Sequence, residues 1–444
     1  VYLQAIEHAL ALGRDAIILV PEISLTPQTV GRFYARFDQD IAVLHSGLGR
    51  GERFDEWRRA QRGDVHIVVG ARSAIFAPLP DIGIIVVDEE HDTSYKQGEA
   101  PRYHARDVAI VRAQMADAVC VLGSATPALE SMHNSRRGKS LELALHHRAT
   151  RARLPHVSVI DMREETKARS GQVVLSEALE TAVNKRVAIG EQVILLLNRR
   201  GHSPFVLCPM CGWVAHCEHC SVSLTYHASD GQLHCHYCDA EREKPLVCDQ
   251  CHFNPLIYLG TGTQKVEDLL MRTFAHCRIE RMDRDTTSGK GGHAKILGRF
   301  AAGRIDVLIG TQMIAKGHDY PGVTLVGIIN ADTSLSHPDF RAAEQTFQLI
   351  TQVAGRAGRG HRPGEVIIQT YRPKHYAIQA AARQDYIGFY EQELAYRRAA
   401  GYPPFRRMCN FAIECEDPLL AQRAVAALQR IVRDQIRALG FEGV

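Results

Sequence analysis

With 444 residues, 45% of them apolar and 23% charged, the chain has the composition of a folded globular protein long enough for two or three domains. A disordered, collagen-like or single-core protein is thereby excluded. No run approaches the roughly 20 apolar residues of a membrane span, and the opening VYLQAIEHAL lacks the charged start and apolar centre of a signal peptide, so a cytoplasmic protein is expected.

The first ten residues already carry a helical stripe (Tyr2, Leu3, Ile6, Ala9, Leu10) with no capping residue before it, so the chain is expected to open in mid-element, with an upstream piece missing. Short apolar runs follow: AIILV (16–20), VHIVV (65–69), IGIIVV (82–87) and AVCVL (118–122). Each has the length of a strand buried on both faces. Helical segments such as 49–61 and 103–116 lie between them, which predicts a parallel α/β sheet. Residues 131–170, rich in Arg, His, Lys and Ser, read as a basic connector. A second series then repeats the scheme: VILLL (193–197), IYLG (257–260), IERM (279–282), VLIG (307–310), LVGII (325–329) and EVIIQ (365–369). The expected fold is α/β, two tandem parallel-sheet lobes with a cysteine-rich insertion in the second. The expected boundaries are 1–150 for the first lobe, 151–205 for the connector and start of the second, and 206–255 for the insertion. Residues 256–385 complete the second lobe, and 386–444 begin a partial C-terminal domain, with Pro403 and Pro404 inside it.

Ligands of open parallel sheets sit beyond the carboxyl ends of the strands, so the residues after each run carry the chemistry. Asp88-Glu89-Glu90-His91 follows the third run: one carboxylate can hold Mg²⁺ beside nucleotide phosphates and the next can orient an attacking water. Gly123-Ser124-Ala125-Thr126-Pro127 follows the fourth, its hydroxyls able to couple one site to another. Late in the second lobe, Gln352-Val353-Ala354-Gly355-Arg356-Ala357-Gly358-Arg359 sets two arginines three apart on one helical face, a pair of guanidinium forks suited to a polyphosphate. Between the acidic turn and the next helix, Tyr95, Lys96, Arg102, Tyr103 and Arg106 interleave aromatics with cations, as single-strand binders do. Arg199 and Arg200 stand at another ligand-facing strand end.

Eight of the twelve cysteines lie between Cys208 and Cys251 as four C-x-x-C pairs. Each pair can turn two thiolates toward one tetrahedral ion, so two closed Cys₄ zinc sites are expected, structural because no coordination position is left open. Cys217/Cys220 and Cys235/Cys238 are fourteen residues apart, near the usual ribbon span, whereas a sequential scheme would fold Cys211 to Cys217 over five. That favours a nested pairing: Cys217, Cys220, Cys235 and Cys238 on one ion, Cys208, Cys211, Cys248 and Cys251 on the other. His216, His219, His234 and His236 are alternative donors.

Taken in order, VPEISLTPQ (20–28), HSGL (45–48), GARSAIFAP (70–78), DEEH (88–91), GSATP (123–127), LLNRRG (196–201), GTQMIAKGHDYPGVTLV (310–326) and QVAGRAGR (352–359) resemble the motifs of superfamily 2 helicases. With the cysteine block among them, the chain resembles the replication-restart helicases of the primosome over nearly its whole length. The resemblance implies two RecA-like lobes and ATP-dependent 3′ to 5′ unwinding of DNA at stalled forks and D-loops. It implies as partners single-stranded and forked DNA, primosome proteins and single-strand-binding protein. It gives Asp88 to Mg²⁺ and Glu89 to the hydrolytic water. Arg356 and Arg359 become arginine fingers supported by Gln352, and Gly317 and Asp319 join nucleotide binding to DNA contact. It also implies the nested zinc pairing. One departure stands out: no G-x-x-x-x-G-K-[ST] phosphate loop occurs, so ATP hydrolysis by these 444 residues is expected to be impaired. The alternative function is a zinc-stabilised DNA-binding or primosome-scaffolding module without turnover.

Overall fold

The computed structural model describes residues 1–21, 27–38, 40–145, 154–169, 173–197, 204–259, 263–282, 292–311, 314, 320–358 and 362–440. The chain divides into two units, Val1–Tyr396 and Arg397–Val444.

The first unit opens with five strands: β1 (Asp15–Leu19), β2 (Ile41–Leu44), β3 (Ile67–Gly70), β4 (Ile82–Asp88) and β5 (Val119–Gly123). They form one parallel sheet in the order β2-β3-β1-β4-β5. Its strands are apolar on both sides because helices cover both faces. Along β1, Ile17 and Leu19 enter one core and Ala16 and Ile18 the other, the two-residue alternation of a pleated strand. Each such buried aliphatic side chain contributes roughly 1.5–3 kcal/mol. The short strand β2 was not among the sequence expectations.

Two strands, β6 (His156–Asp161) and β7 (Gln192–Leu196), begin the second lobe. The cysteine module then intervenes with β8 (Phe205–Leu207), β9 (Thr225–Tyr226), β10 (Gln232–His234), β11 (Glu241–Glu243) and β12 (Ile257–Leu259). The lobe resumes with β13 (Ile279–Met282), β14 (Val307–Gly310), β15 (Val323–Ile328) and β16 (Glu365–Thr370). Its sheet is parallel, in the order β13-β14-β7-β15-β16-β6. Two expectations are corrected here. The basic connector contains an edge strand, β6, and a helix, Met162–Arg169. The run IYLG does not join the large sheet: β12 pairs antiparallel with β8 in a ribbon at the root of the module.

Tyr386, Phe389 and Tyr390 pack into the second lobe's core, so the second unit starts at Arg397 rather than at the expected 386. That unit carries the helix Pro418–Ala438, whose N-cap Asp417 accepts from the amides of Leu419 and Leu420. No described helix is long and apolar enough to cross a membrane.

Candidate nucleotide site and metal centres

Strand β4 delivers Asp88 to the ligand-facing end of the first sheet. Burial holds this carboxyl above its ordinary range, a shift offset in part by hydrogen bonds from the Tyr2 hydroxyl at 3.0 Å and the Glu89 amide. A divalent cation beside Asp88 would restore its ionised form, so the residue fits Mg²⁺. The Tyr2 contact demands a glycine opposite: a Cβ on Gly123 would lie 1.6 Å from the Tyr2 hydroxyl oxygen.

The chain turns sharply after Asp88, with Glu89 in the left-handed region at φ 47°. Glu89 lies 3.6 Å from His91 Nδ1, which shares a 2.7 Å hydrogen bond with Ser124 Oγ. Glu90 has a different task. It is 1% exposed and accepts from the Ala128 amide at 2.6 Å, the Ser131 hydroxyl at 2.8 Å and Arg106 Nη1 at 3.1 Å. Two adjacent carboxylates thus part company: Glu89 is solvent-accessible beside the histidine, and Glu90 ties the acidic turn to the helix Leu129–Arg136.

The turn after β5 continues into the second lobe. Glu344 and Gln348, on the helix Ala342–Ala354, meet it from across the lobe boundary. Glu344 accepts from the Leu129 amide at 2.9 Å, and Gln348 Nε2 donates to Thr126 O at 3.4 Å and to Glu344 at 3.3 Å. The Tyr386 hydroxyl donates to Pro127 O at 2.9 Å. Sequence reading singled out none of these three residues. The signal available was the pair of polar residues four apart on an otherwise apolar helix face. Gln352 continues that stripe by one further turn.

The arginines depart from expectation. The helix ends at Ala354, so Arg356 stands in the turn beyond it, its amide bonded to Val353 O and its charge near the Tyr320 hydroxyl. It therefore cannot share a helical face with Arg359. Arg359, Gly317, Asp319, Arg199 and Arg200 lie outside the described residues. The aromatic segment is also corrected. Tyr95 is fully buried, its hydroxyl donating to Asp88 O at 2.6 Å, so its ring is closed to a stacking base. Arg106 is committed to Glu90. Lys96 and Arg102 are exposed, and Tyr103 packs edge-on against Phe76 with ring centroids 5.0 Å apart.

The eight cysteines gather in the nested arrangement. Cys208, Cys211, Cys248 and Cys251 form one group and Cys217, Cys220, Cys235 and Cys238 the other, the sulfurs of each within 4.8 Å of one another. Sγ separations of 3.5 Å (Cys208–Cys251), 3.6 Å (Cys211–Cys248) and 3.5 Å (Cys217–Cys238) approach the edge of about 3.8 Å that a tetrahedron with ~2.3 Å Zn–S bonds requires. All four knuckles share one backbone device. The carbonyl of the first cysteine accepts from the residue four further on, Gly212, Ser221, Asp239 or His252, each at 2.9 Å and each with positive φ. Burial pushes the Cys211 and Cys220 thiols up, a penalty that a bound dication reverses by holding them as thiolates. Among the described residues the histidines take no part. His216 bonds Val214 O, and His234 is held between Asp230 and Glu241.

Three family models match the chain: a DEAD/DEAH box helicase over residues 1–135, the PriA DNA helicase Cys-rich region domain over 217–242, and a helicase conserved C-terminal domain over 247–361. Replication restart protein PriA of Bacillus subtilis is 51% identical over 96% of the chain, which spans 53% of that protein. The PriA proteins of Synechocystis and Chlamydia pneumoniae are 47% and 44% identical over 92% and 99% of the chain, which spans 50% and 59% of their lengths. The chain thus spans little more than half the length of these relatives. Two parallel RecA-like lobes, the helicase motifs at their strand ends and a cysteine-rich region set into the second lobe together mean that the chain belongs to the PriA replication restart family.

Proposed function

We propose that the chain is the motor portion of an ATP-dependent 3′ to 5′ DNA helicase of replication restart, acting on forked DNA and D-loops and promoting primosome assembly. The observation that carries this reading is the polar chain running from Glu89 through His91 and Ser124 to Thr126 and onward to Gln348 and Glu344. It links the acidic turn of one lobe to the arginine-bearing helix end of the other, as a cleft that senses phosphate on both sides requires.

In this reading Asp88 holds Mg²⁺, which supplies charge neutralisation at the phosphates. Glu89 orients the attacking water, and His91 relays its position to Ser124. Arg356 and Arg359 meet the phosphates from the second lobe with Gln352 beside them, and Gly317 and Asp319 connect nucleotide and DNA. Lys96, Arg102 and Tyr103 are the outward DNA contacts of the first lobe, and Arg199 and Arg200 those of the second. Two Zn²⁺ ions hold the cysteine module, and single-strand-binding protein and primosome proteins are the partners.

The test is DNA-stimulated ATP hydrolysis, measured on these 444 residues and on the protein extended upstream. Turnover is expected in the extended form, with a fall of about 10²-fold or more on Glu89→Gln. Unchanged turnover in that variant overturns the assignment of Glu89. Absence of turnover in both forms overturns the motor reading and leaves the scaffold.

A further inference from the structure

The aromatic and cationic groups that single-strand binding needs occur together on the cysteine module, in residues far apart in the chain. The register of β9, β10 and β11 aligns Tyr226, Leu233 and Arg242 in one row across the sheet, so Tyr226 and Arg242 share a face. Alternation places Glu241 and Glu243 on the opposite face. Arg242 lies over the Trp213 ring at 6.0 Å. Lys244 lies over both Tyr258 and Tyr226, at 5.1 and 5.9 Å, and those two rings are 4.9 Å apart.

Beside this face opens a cavity of about 370 Å³ lined by Trp213, Arg242 and Arg372. Arg372 is largely buried, and burial lowers its pKa. No carboxylate among the described residues lies within ion-pairing distance of it. Asp332, the nearest acid acting on it, is engaged by Thr370 and the Tyr371 amide. Two negative groups border the cavity: Asp249, tied to Arg242, and Cys211 of the outer metal site. A buried guanidinium without a counter-ion, next to exposed cations and accessible ring faces, fits a ligand that carries both phosphates and planar bases. An acidic peptide would use the cations and leave the rings idle.

We propose that this face binds single-stranded nucleic acid, with bases on Trp213, Tyr226 and Tyr258 and phosphates on Arg242, Lys244 and Arg372. The choice of DNA over RNA rests on the helicase reading above, whereas the surface itself does not.

The sequence contains two tryptophans, Trp57 and Trp213, so Trp57→Phe leaves Trp213 as the single reporter. The zinc-loaded chain in that background is titrated with labelled oligo(dT), and Trp213 emission and label anisotropy are followed together. The expected result is quenching that saturates with the anisotropy, and an affinity loss of about tenfold or more in Arg242→Glu with Lys244→Glu and in Tyr258→Ala. Zinc content and melting temperature confirm that each variant is folded. Anisotropy that rises with no change in Trp213 emission, or an unaffected charge-reversal variant, places the strand elsewhere and overturns this site while leaving the helicase reading intact. Failure of the oligonucleotide to bind at all overturns both. Equal quenching and competition by poly-glutamate shows that the face reads charge alone and overturns the nucleic-acid assignment.

Discussion

At the acidic turn, three neighbouring residues carry three different loads. Glu90 is the structural one, because it satisfies a backbone amide, a hydroxyl and a guanidinium in a buried place. Glu90→Ala leaves Arg106 charged and unpaired in the interior, and a loss of about 3–5 kcal/mol in urea unfolding is expected. Glu89→Gln on the accessible neighbour should leave the unfolding curve nearly unmoved. All four residues of the turn were legible as chemistry in the sequence, but their division of labour was not, since adjacency along the chain says nothing about which carboxylate meets Ala128 or Arg106. A pH signature belongs to this scale too. The hydrogen bond to Asp15 raises the pKa of His66 above its ordinary 6.5. The protonated form therefore stabilises the fold below about pH 6.5, and the contribution fades as pH rises through the raised value. The melting temperature of His66→Gln should fall below that of the parent by more at pH 6 than at pH 8.

At the scale of elements, the helix Ala342–Ala354 shows how a polar stripe becomes a joint. Glu344→Ala removes the acceptor of the Leu129 amide, and a cost of about 1–3 kcal/mol is expected in denaturant unfolding. The knuckles give a sharper case. Gly212 has φ 79°, and a Cβ there would approach Tyr371 O to 2.3 Å, so Gly212→Ala should both strain the outer knuckle and lift it from the end of β16. Faster release of one of two zinc ions to a chromogenic chelator is the expected readout. The strands buried on both faces were legible as apolar runs. Edge strand β6 was not, because its residues His156, Ser158 and Asp161 carry no apolar period, and pairing with β16 is what makes it a strand. For β12 the three apolar residues were visible, but nothing in so short a run says whether its partner is parallel or antiparallel.

For the whole molecule, the cysteine module is a folding unit held by its ligands, inserted between strands of a sheet that needs none. Its core is small, built around residues such as Val206, Leu224, Leu233 and Leu256 together with the cysteines themselves. Chelation should open residues 204–259 to protease while strands β7, β14 and β15 keep their amide-exchange protection. Elemental analysis should return two zinc ions per chain, and one in Cys238→Ser, with the group containing Cys208 retained.

The sequence by itself determined the two parallel lobes, the acidic turn and the nested cysteine pairing, because each rests on local composition: apolar run length, residue type at a strand end and the spacing of C-x-x-C pairs. Tertiary structure decided what depends on distance through space. It buried Tyr95 and Arg106 where the sequence order suggested a DNA-facing loop, and it placed Arg356 beyond the end of its helix. It also brought Glu344 to Leu129, and assembled Trp213, Tyr226, Arg242, Lys244 and Tyr258 on one module. Side-chain exposure and cross-chain pairing are set by packing between elements, and a linear pattern of residue types carries no record of which faces will meet.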